Sequence, residues 1–140
     1  MKTPRSEIFT WPVRVYWEDT DAGGIVFYAN YLKFFERSRT EWLRSKGIDQ
    51  HQLRETTGGM FVVSHAEISY LKSAKLDDLL SVSTRLIESG RAFMRIHQQA
   101  FLHANEGQVL LCEGSIRAAW VNASQLKPAR IPQTVLDALT

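Results

Sequence analysis

Apolar and polar side chains alternate over residues 9–17, with Val13, Val15 and Trp17 on one parity and Arg14 and Tyr16 on the other. A period of two predicts a half-buried strand. Pro12, which cannot donate to a ladder, puts that strand at an edge or marks its entry point. The period then changes. Over 28–46 the positions Tyr31, Phe35, Ser38 and Trp42 recur at helical spacing beside Leu32, Phe34 and Leu43, while Lys33, Glu36, Arg37, Glu41 and Arg44 cover the opposite side. This predicts one long amphipathic helix, with Arg37 and Glu41 placed to pair across a turn and Gly47 as its stop. Beyond a loop around 56–59 come strand-like runs at 61–71, 79–89, 93–103 and 109–121. In two of these the alternation is clean: Leu80, Val82, Thr84 and Leu86 share one face of the first, and Met94, Ile96, Gln98, Ala100 and Leu102 one face of the next. Glu88-Ser89-Gly90-Arg91 and Asn105-Glu106-Gly107 have turn chemistry, so the last three strands are expected to be antiparallel and adjacent. Pro132 ahead of Val135, Leu136 and Leu139 predicts a short C-terminal helix.

Strand, long helix, then a run of strands is an α+β pattern: one antiparallel sheet packed on one apolar helix. With 140 residues and no repeat or low-complexity linker, a single domain over 1–140 is expected. One helix cannot cover every strand edge, so an oligomer is expected as well. Lys+Arg 17 against Asp+Glu 15 leaves a net charge of +2, too weak a field to recruit nucleic acid, and any anionic ligand must be held locally. The lone cysteine, Cys112, closes no internal disulfide and residues 1–7 carry no apolar signal stretch, which together predict the reducing cytoplasm. No apolar run approaches the roughly 20 residues of a membrane-spanning helix, so no transmembrane segment is expected.

Candidate chemistry narrows by elimination. The chain has no Gly-x-Ser-x-Gly elbow, no Gly-x-x-x-x-Gly-Lys phosphate loop and no Cys-x-x-Cys pair. His51, His65, His97 and His103 lack metal-ligand spacing, so no metal site is expected, and Cys112 sits in an apolar run that suits an inert thiol. What remains is Glu18-Asp19-Thr20-Asp21-Ala22-Gly23-Gly24-Ile25-Val26-Phe27-Tyr28-Ala29-Asn30-Tyr31, a carboxylate- and glycine-rich loop running into the long helix. Three readings fit it. Asp21 or a neighbour caps the helix, for about 0.5–2 kcal/mol. Asp19-x-Asp21 followed by Gly24 copies the opening of a calcium loop, although Asn30 stands where the bidentate glutamate belongs. Or the helix N-terminal amides around Phe27 and Tyr28 polarise a carbonyl, while Asp21 on the other side of the carbon activates a water or attacks the carbon itself. This last arrangement performs acyl transfer, and a thioester suits it because its thiolate leaves without a strong general acid.

At these residues the chain resembles the hotdog-fold thioesterases, in particular the 4-hydroxybenzoyl-CoA thioesterase group. The group's signature, Thr-Asp-x-x-Gly-Ile/Val-Val followed by aromatics and Tyr, stands here as Thr20-Asp21-Ala22-Gly23-Gly24-Ile25-Val26-Phe27-Tyr28-Ala29-Asn30-Tyr31. The longer run over 15–24, with Phe35-Glu36-Arg37-Ser38-Arg39-Thr40-Glu41 after it, looks like the Tol-Pal-associated acyl-CoA thioesterase branch, and similarity continues through Ser69-Tyr70 and Ala74-Lys75-Leu76-Asp77-Asp78 to Gly90-Arg91. The resemblance implies a hotdog fold, a long helix wrapped by an antiparallel sheet, assembled as a homodimer or homotetramer with active sites at the subunit interface. It implies hydrolysis of acyl-CoA to free acid and coenzyme A without metal or redox cofactor, coenzyme A being part of the substrate. By position, Asp21 becomes the catalytic carboxylate and the backbone amide of Tyr28 the group that polarises the thioester carbonyl. Some members of the branch have a histidine where Tyr28 stands, a change that a backbone amide survives. Gly24, Val26, Phe27 and Tyr31 become substrate-binding candidates, with Phe61 a further candidate for the acyl pocket. Arg91 is the first candidate for the coenzyme A phosphates, ahead of Lys72, Lys75 and Arg130. The alternative is a non-catalytic protein that binds acyl-CoA or acyl carrier protein in the same pocket and is linked to the Tol-Pal system of the cell envelope.

Overall fold

Five strands, β1 (Phe9–Arg14), β2 (Gly59–Tyr70), β3 (Leu79–Ser89), β4 (Phe93–Ala104) and β5 (Gly107–Asn122), form one antiparallel sheet in the order β1-β3-β4-β5-β2. The computed structural model describes residues 7–104 and 107–140. As the turn chemistry predicts, β3, β4 and β5 lie side by side; Asn105 and Glu106 of the second turn lie outside the described residues, as do residues 1–6 of the stretch expected to carry no signal. The edges are β1, which carries Pro12, and β2.

Helix α1 (Asn30–Ser45) crosses one face of the sheet because its apolar stripe has nowhere else to go. Phe34 and Phe35 pack with Val13, Val15, Leu80, Val82 and Leu111, and further along Trp42 and Leu43 pack with Leu86, Met94, Ile96, Ile116 and Trp120. Helix α3 (Gln133–Leu139) closes the second cluster with Val135 and Leu139. Where the two clusters meet, the inward positions are polar. Ser38 donates to the Val82 carbonyl at 2.9 Å and shares a hydrogen bond with Thr84 Oγ1 at 2.8 Å. Gln98 Nε2 donates to the Phe35 carbonyl at 2.9 Å and to Thr84 Oγ1 at 2.8 Å, while its Oε1 accepts from Arg39 Nη1 at 3.0 Å. The buried side-chain polar atoms of Ser38, Thr84 and Gln98 are thereby satisfied, which is what lets the three residues be fully buried.

Several boundaries differ from the pattern. α1 starts at Asn30, two residues later than the periodicity suggests, and stops as predicted: Gly47 at φ +79° lets the N–H groups of Gly47 and Ile48 reach back to the carbonyls of Arg44 and Leu43. Glu41 pairs with Arg44 at 2.9 Å instead of Arg37, whose guanidinium lies 5.7 Å above the Phe34 ring. β1 ends at Arg14, and Trp17, expected to share the buried parity of Val13 and Val15, is 81% exposed. The Asp19 carboxylate takes the Tyr16 N–H at 2.8 Å and turns residues 17–19 into a short 3-10 helix, which ends the alternation. A second helix, α2 (Gln50–Thr57), occupies part of the expected loop; it buries no residue, so no apolar period announced it.

No helix among the described residues is long and apolar enough to cross a membrane. Cys112 is fully buried, and burial, helped by nearby Glu113, pushes its pKa from 9.0 to about 12. Between those values the unfolded chain has lost the thiol proton that the folded chain keeps, so this group makes stability fall as pH rises from about 9 to 12. The expected outcome is that a disulfide-exchange reagent at pH 8 labels Cys112 only after denaturant is added, which a thiol titration with and without urea checks.

Candidate active site

The loop that precedes α1 is a tight hairpin. Thr20 and Val26 form an antiparallel bridge, the Asp21 N–H donates to the Ile25 carbonyl at 2.9 Å, and the Gly24 N–H returns to the Asp21 carbonyl at 3.0 Å. Gly24 sits at φ +79°, a conformation that makes glycine the natural residue there. At the tip, the Asp21 carboxylate accepts the Gly23 N–H at 2.8 Å and is otherwise exposed. Asp21 does not cap α1, whose first flanking residue is Ala29 with no side-chain cap, so the capping reading is replaced by a local turn that holds the carboxylate outward. Among the described residues no cluster of three or more His, Cys, Asp or Glu side chains is placed to hold a metal ion.

The hairpin is fastened on both sides. Ile25 bridges Lys75 and the Val26 N–H donates to the Ala74 carbonyl at 2.9 Å. The buried Tyr31 hydroxyl accepts the Ala74 N–H at 3.1 Å, which ties the 72–74 segment to α1. Burial raises the Tyr31 pKa, with the Ala74 hydrogen bond opposing, and burial raises that of Tyr70 as well. Asp19 completes the fastening, its carbonyl accepting both the Phe27 N–H at 3.0 Å and Asn30 Nδ2 at 2.8 Å.

These bonds decide which amides are available. The Phe27 N–H is consumed by Asp19, whereas the N–H groups of Tyr28 and Ala29 have no acceptor among the described residues. They belong to the first turn leading into α1, where unpaired donors and the helix dipole favour negative charge. Asp21, Val26, Phe27, Tyr28 and Tyr31 line one cavity of about 330 Å³, together with Tyr70 and Lys72. Gly24 shapes the hairpin behind it. The Tyr28 ring packs edge-on against Tyr70 at 5.6 Å and Tyr31 lies 5.8 Å from Tyr70, so the cavity is walled by aromatics. Asn30 and Tyr70 received no site role from the sequence: the resemblance runs through both, but nothing local shows that Asn30 fastens the loop or that Tyr70, some 40 residues downstream, reaches the cavity.

The remaining candidates fall elsewhere. Arg91, with Arg130, borders a larger cavity of about 760 Å³ at the β3–β4 turn. That is the far end of an 11-residue strand from the segment bridged to the hairpin, roughly 30 Å away at the rise of a strand. Lys72 is the basic candidate on the Asp21 cavity, and Lys75 lies beside it in the segment that bridges Ile25. Phe61 packs edge-on against Trp120 at 5.0 Å and lines a third cavity beside α1. Replacing Tyr31 by Phe leaves the buried Ala74 N–H without its acceptor. The expected result is a loss of about 1–3 kcal/mol, read from the urea midpoint, with faster hydrogen exchange at Ala74.

An antiparallel sheet wrapped on one long helix, with a carboxylate-bearing hairpin at the helix start, defines a hotdog-fold protein of the thioesterase type. The chain belongs to the thioesterase-like superfamily, whose family model matches residues 15–139. It is 42% identical over 127 residues to the acyl-CoA thioesterase YbgC of Haemophilus influenzae, covering 91% of this chain and 90% of that one. It is 38% identical over 129 residues to the acyl-CoA thioester hydrolase YbgC of Escherichia coli, covering 92% and 93%. In fold it is similar to 4-hydroxybenzoyl-CoA thioesterase from Pseudomonas sp. strain CBS-3, with a TM-score of 0.85 at 18% identity, covering 94% of this chain and 98% of that one.

Proposed function

We propose that this protein is an acyl-CoA thioesterase in which the Asp21 carboxylate and the Tyr28 N–H act on the thioester carbonyl from opposite sides. The observation that carries this reading is an unengaged amide at the start of α1 in a residue that lines the same cavity as an exposed carboxylate. The relatives that match over nine-tenths of the chain and are named acyl-CoA thioesterases support it. With the carbonyl oxygen on the Tyr28 N–H, the charge that develops as the carbon becomes tetrahedral falls on a donor already in place. Asp21 takes the proton of an attacking water; the carbon–sulfur bond breaks, and the proton passes to the departing thiolate. Direct attack by Asp21 would instead form an anhydride that water opens. Label found in Asp21 after single-turnover hydrolysis in isotopically labelled water identifies the anhydride route, since only water attack on the aspartyl carbonyl of the anhydride puts it there.

The test is thiol release from acyl-CoA esters of graded length and a benzoyl-type ester. Turnover of at least one ester is expected; tight binding with no hydrolysis of any of them would make the protein an acyl-CoA or acyl-carrier-protein binder instead.

The site works, on this reading, in a homodimer or homotetramer. β1 and β2 each have a neighbour on one side only, and Phe27, Tyr28, Tyr70 and Leu71 are exposed around the cavity, which favours a second copy covering it. A neighbouring copy is also what Arg91 needs in order to meet coenzyme A phosphates beside Asp21. Arg91→Ala is expected to raise KM for acyl-CoA several-fold with kcat unchanged, and to leave KM unchanged for a thioester that lacks the nucleotide. The single buried cysteine fits the cytoplasm as its compartment.

A further inference from the structure

The third cavity, of about 250 Å³, opens between α1 and the first half of β2. Phe61, Val63 and Met94 give it an apolar side, and its α1 wall carries Glu36, Arg39 and Thr40. Arg39 is half-buried, and its one side-chain hydrogen bond among the described residues runs to Gln98 Oε1 at 3.0 Å. Gln98 is fully buried with its Nε2 held by the Phe35 carbonyl and Thr84, so the amide oxygen is the end presented to the guanidinium. No carboxylate among the described residues lies within ion-pairing distance of Arg39. Glu36, one turn back, also lines the cavity; it is exposed and acts on Arg39 only through space, opposing the fall in the Arg39 pKa that burial causes. A guanidinium cannot shed its proton, so this is a partly desolvated charge with one neutral acceptor and the rest of its donor fork unused by protein.

We propose that this cavity is a binding site for a short monocarboxylic acid, with the carboxylate on Arg39 and the hydrocarbon tail over Phe61 and Met94. A planar fork matches a carboxylate in two parallel hydrogen bonds. The volume equals that of roughly eight waters, room for a few carbons, and the apolar side would be wasted on inorganic phosphate. A carboxylic acid is also what thioester hydrolysis releases, so on the function proposed above the site holds product; binding of free acid does not depend on that function.

The probe is butyrate, with neutral butyramide of the same size, titrated calorimetrically and by the side-chain N–H signals of Arg39. Butyrate is expected to bind about tenfold or more tighter than butyramide and to shift the Arg39 signals. The preference should vanish in Arg39→Gln and return in part in Arg39→Lys, which also serves if the glutamine variant does not fold. It should persist in Asp21→Asn, so that loss of catalysis and loss of this site are separate results. Equal affinity for acid and amide, no saturable butyrate binding, or binding abolished by Arg91→Ala with the Arg39 signals unmoved would each overturn the proposal.

Discussion

Asp21→Asn is expected to lower kcat for acyl-CoA hydrolysis by on the order of 10³-fold while leaving the melting temperature unchanged. The two halves of that statement rest on different bonds. Asparagine keeps the oxygen that accepts the Gly23 N–H at 2.8 Å, so the hairpin turn that aims the side chain survives. α1 begins nine residues later and draws no cap from position 21, so no helix stability is at stake. What the substitution removes is basicity: an amide neither takes a proton from water nor attacks a carbonyl. The residual rate is what the Tyr28 N–H and substrate positioning supply on their own. Thiol release and thermal unfolding measured on the same preparations decide it. A variant within about threefold of wild type would remove Asp21 from the reaction, and a folding defect with activity retained would mark it as structural.

Much of the fold was legible because burial writes itself as a period. Leu80, Val82, Thr84 and Leu86 are all buried, as their alternation predicts, and the α1 stripe of Tyr31, Phe35, Ser38 and Trp42 lies against the sheet. The failures have a common cause in bonds made by polar groups. Trp17 continues the apolar parity of Val13 and Val15, yet the Asp19 carboxylate captures the Tyr16 N–H and swings the chain out of the sheet. α2 buries nothing, so its only traces were its ends, Asp49 accepting the Gln52 N–H and Gly58 at φ +73°.

The candidate site divides in the same way. That Asp21 and the start of α1 share one cavity follows from a spacing short enough for one hairpin. Choosing Tyr28 over Phe27 as the available amide does not, because the Phe27 N–H is consumed by the carbonyl of Asp19, eight residues upstream. The Tyr70 and Lys72 wall is brought in by the Ala74 contacts with Val26 and Tyr31, which no local pattern encodes. Arg91 shows the converse. Its turn was predicted correctly, and the same strand length that makes the prediction secure carries Arg91 to the far end of the sheet from Asp21.

Gln98→Leu is expected to destabilise the protein by about 2–3 kcal/mol, although it replaces a polar group with an apolar one of similar size at a fully buried position. By alternation alone, a leucine beside Ile96 and Ala100 should be an improvement. The cost arises in the neighbours. The Phe35 carbonyl remains in the helix ladder and Thr84 keeps Ser38, so these two are not orphaned. Arg39 is: its hydrogen bond to Gln98 is the contact that holds a half-buried guanidinium in place, and no carboxylate among the described residues stands within ion-pairing distance to take over. If that unpaired charge is the source of the penalty, removing it should recover most of the loss, so Arg39→Met combined with Gln98→Leu should be less destabilised than the sum of the single variants by about 1–2 kcal/mol. Urea unfolding with a constant m-value measures all three. Strict additivity would mean that the loss at Gln98 comes from packing against the leucine branches, and that Arg39 is held by solvent instead of by the glutamine.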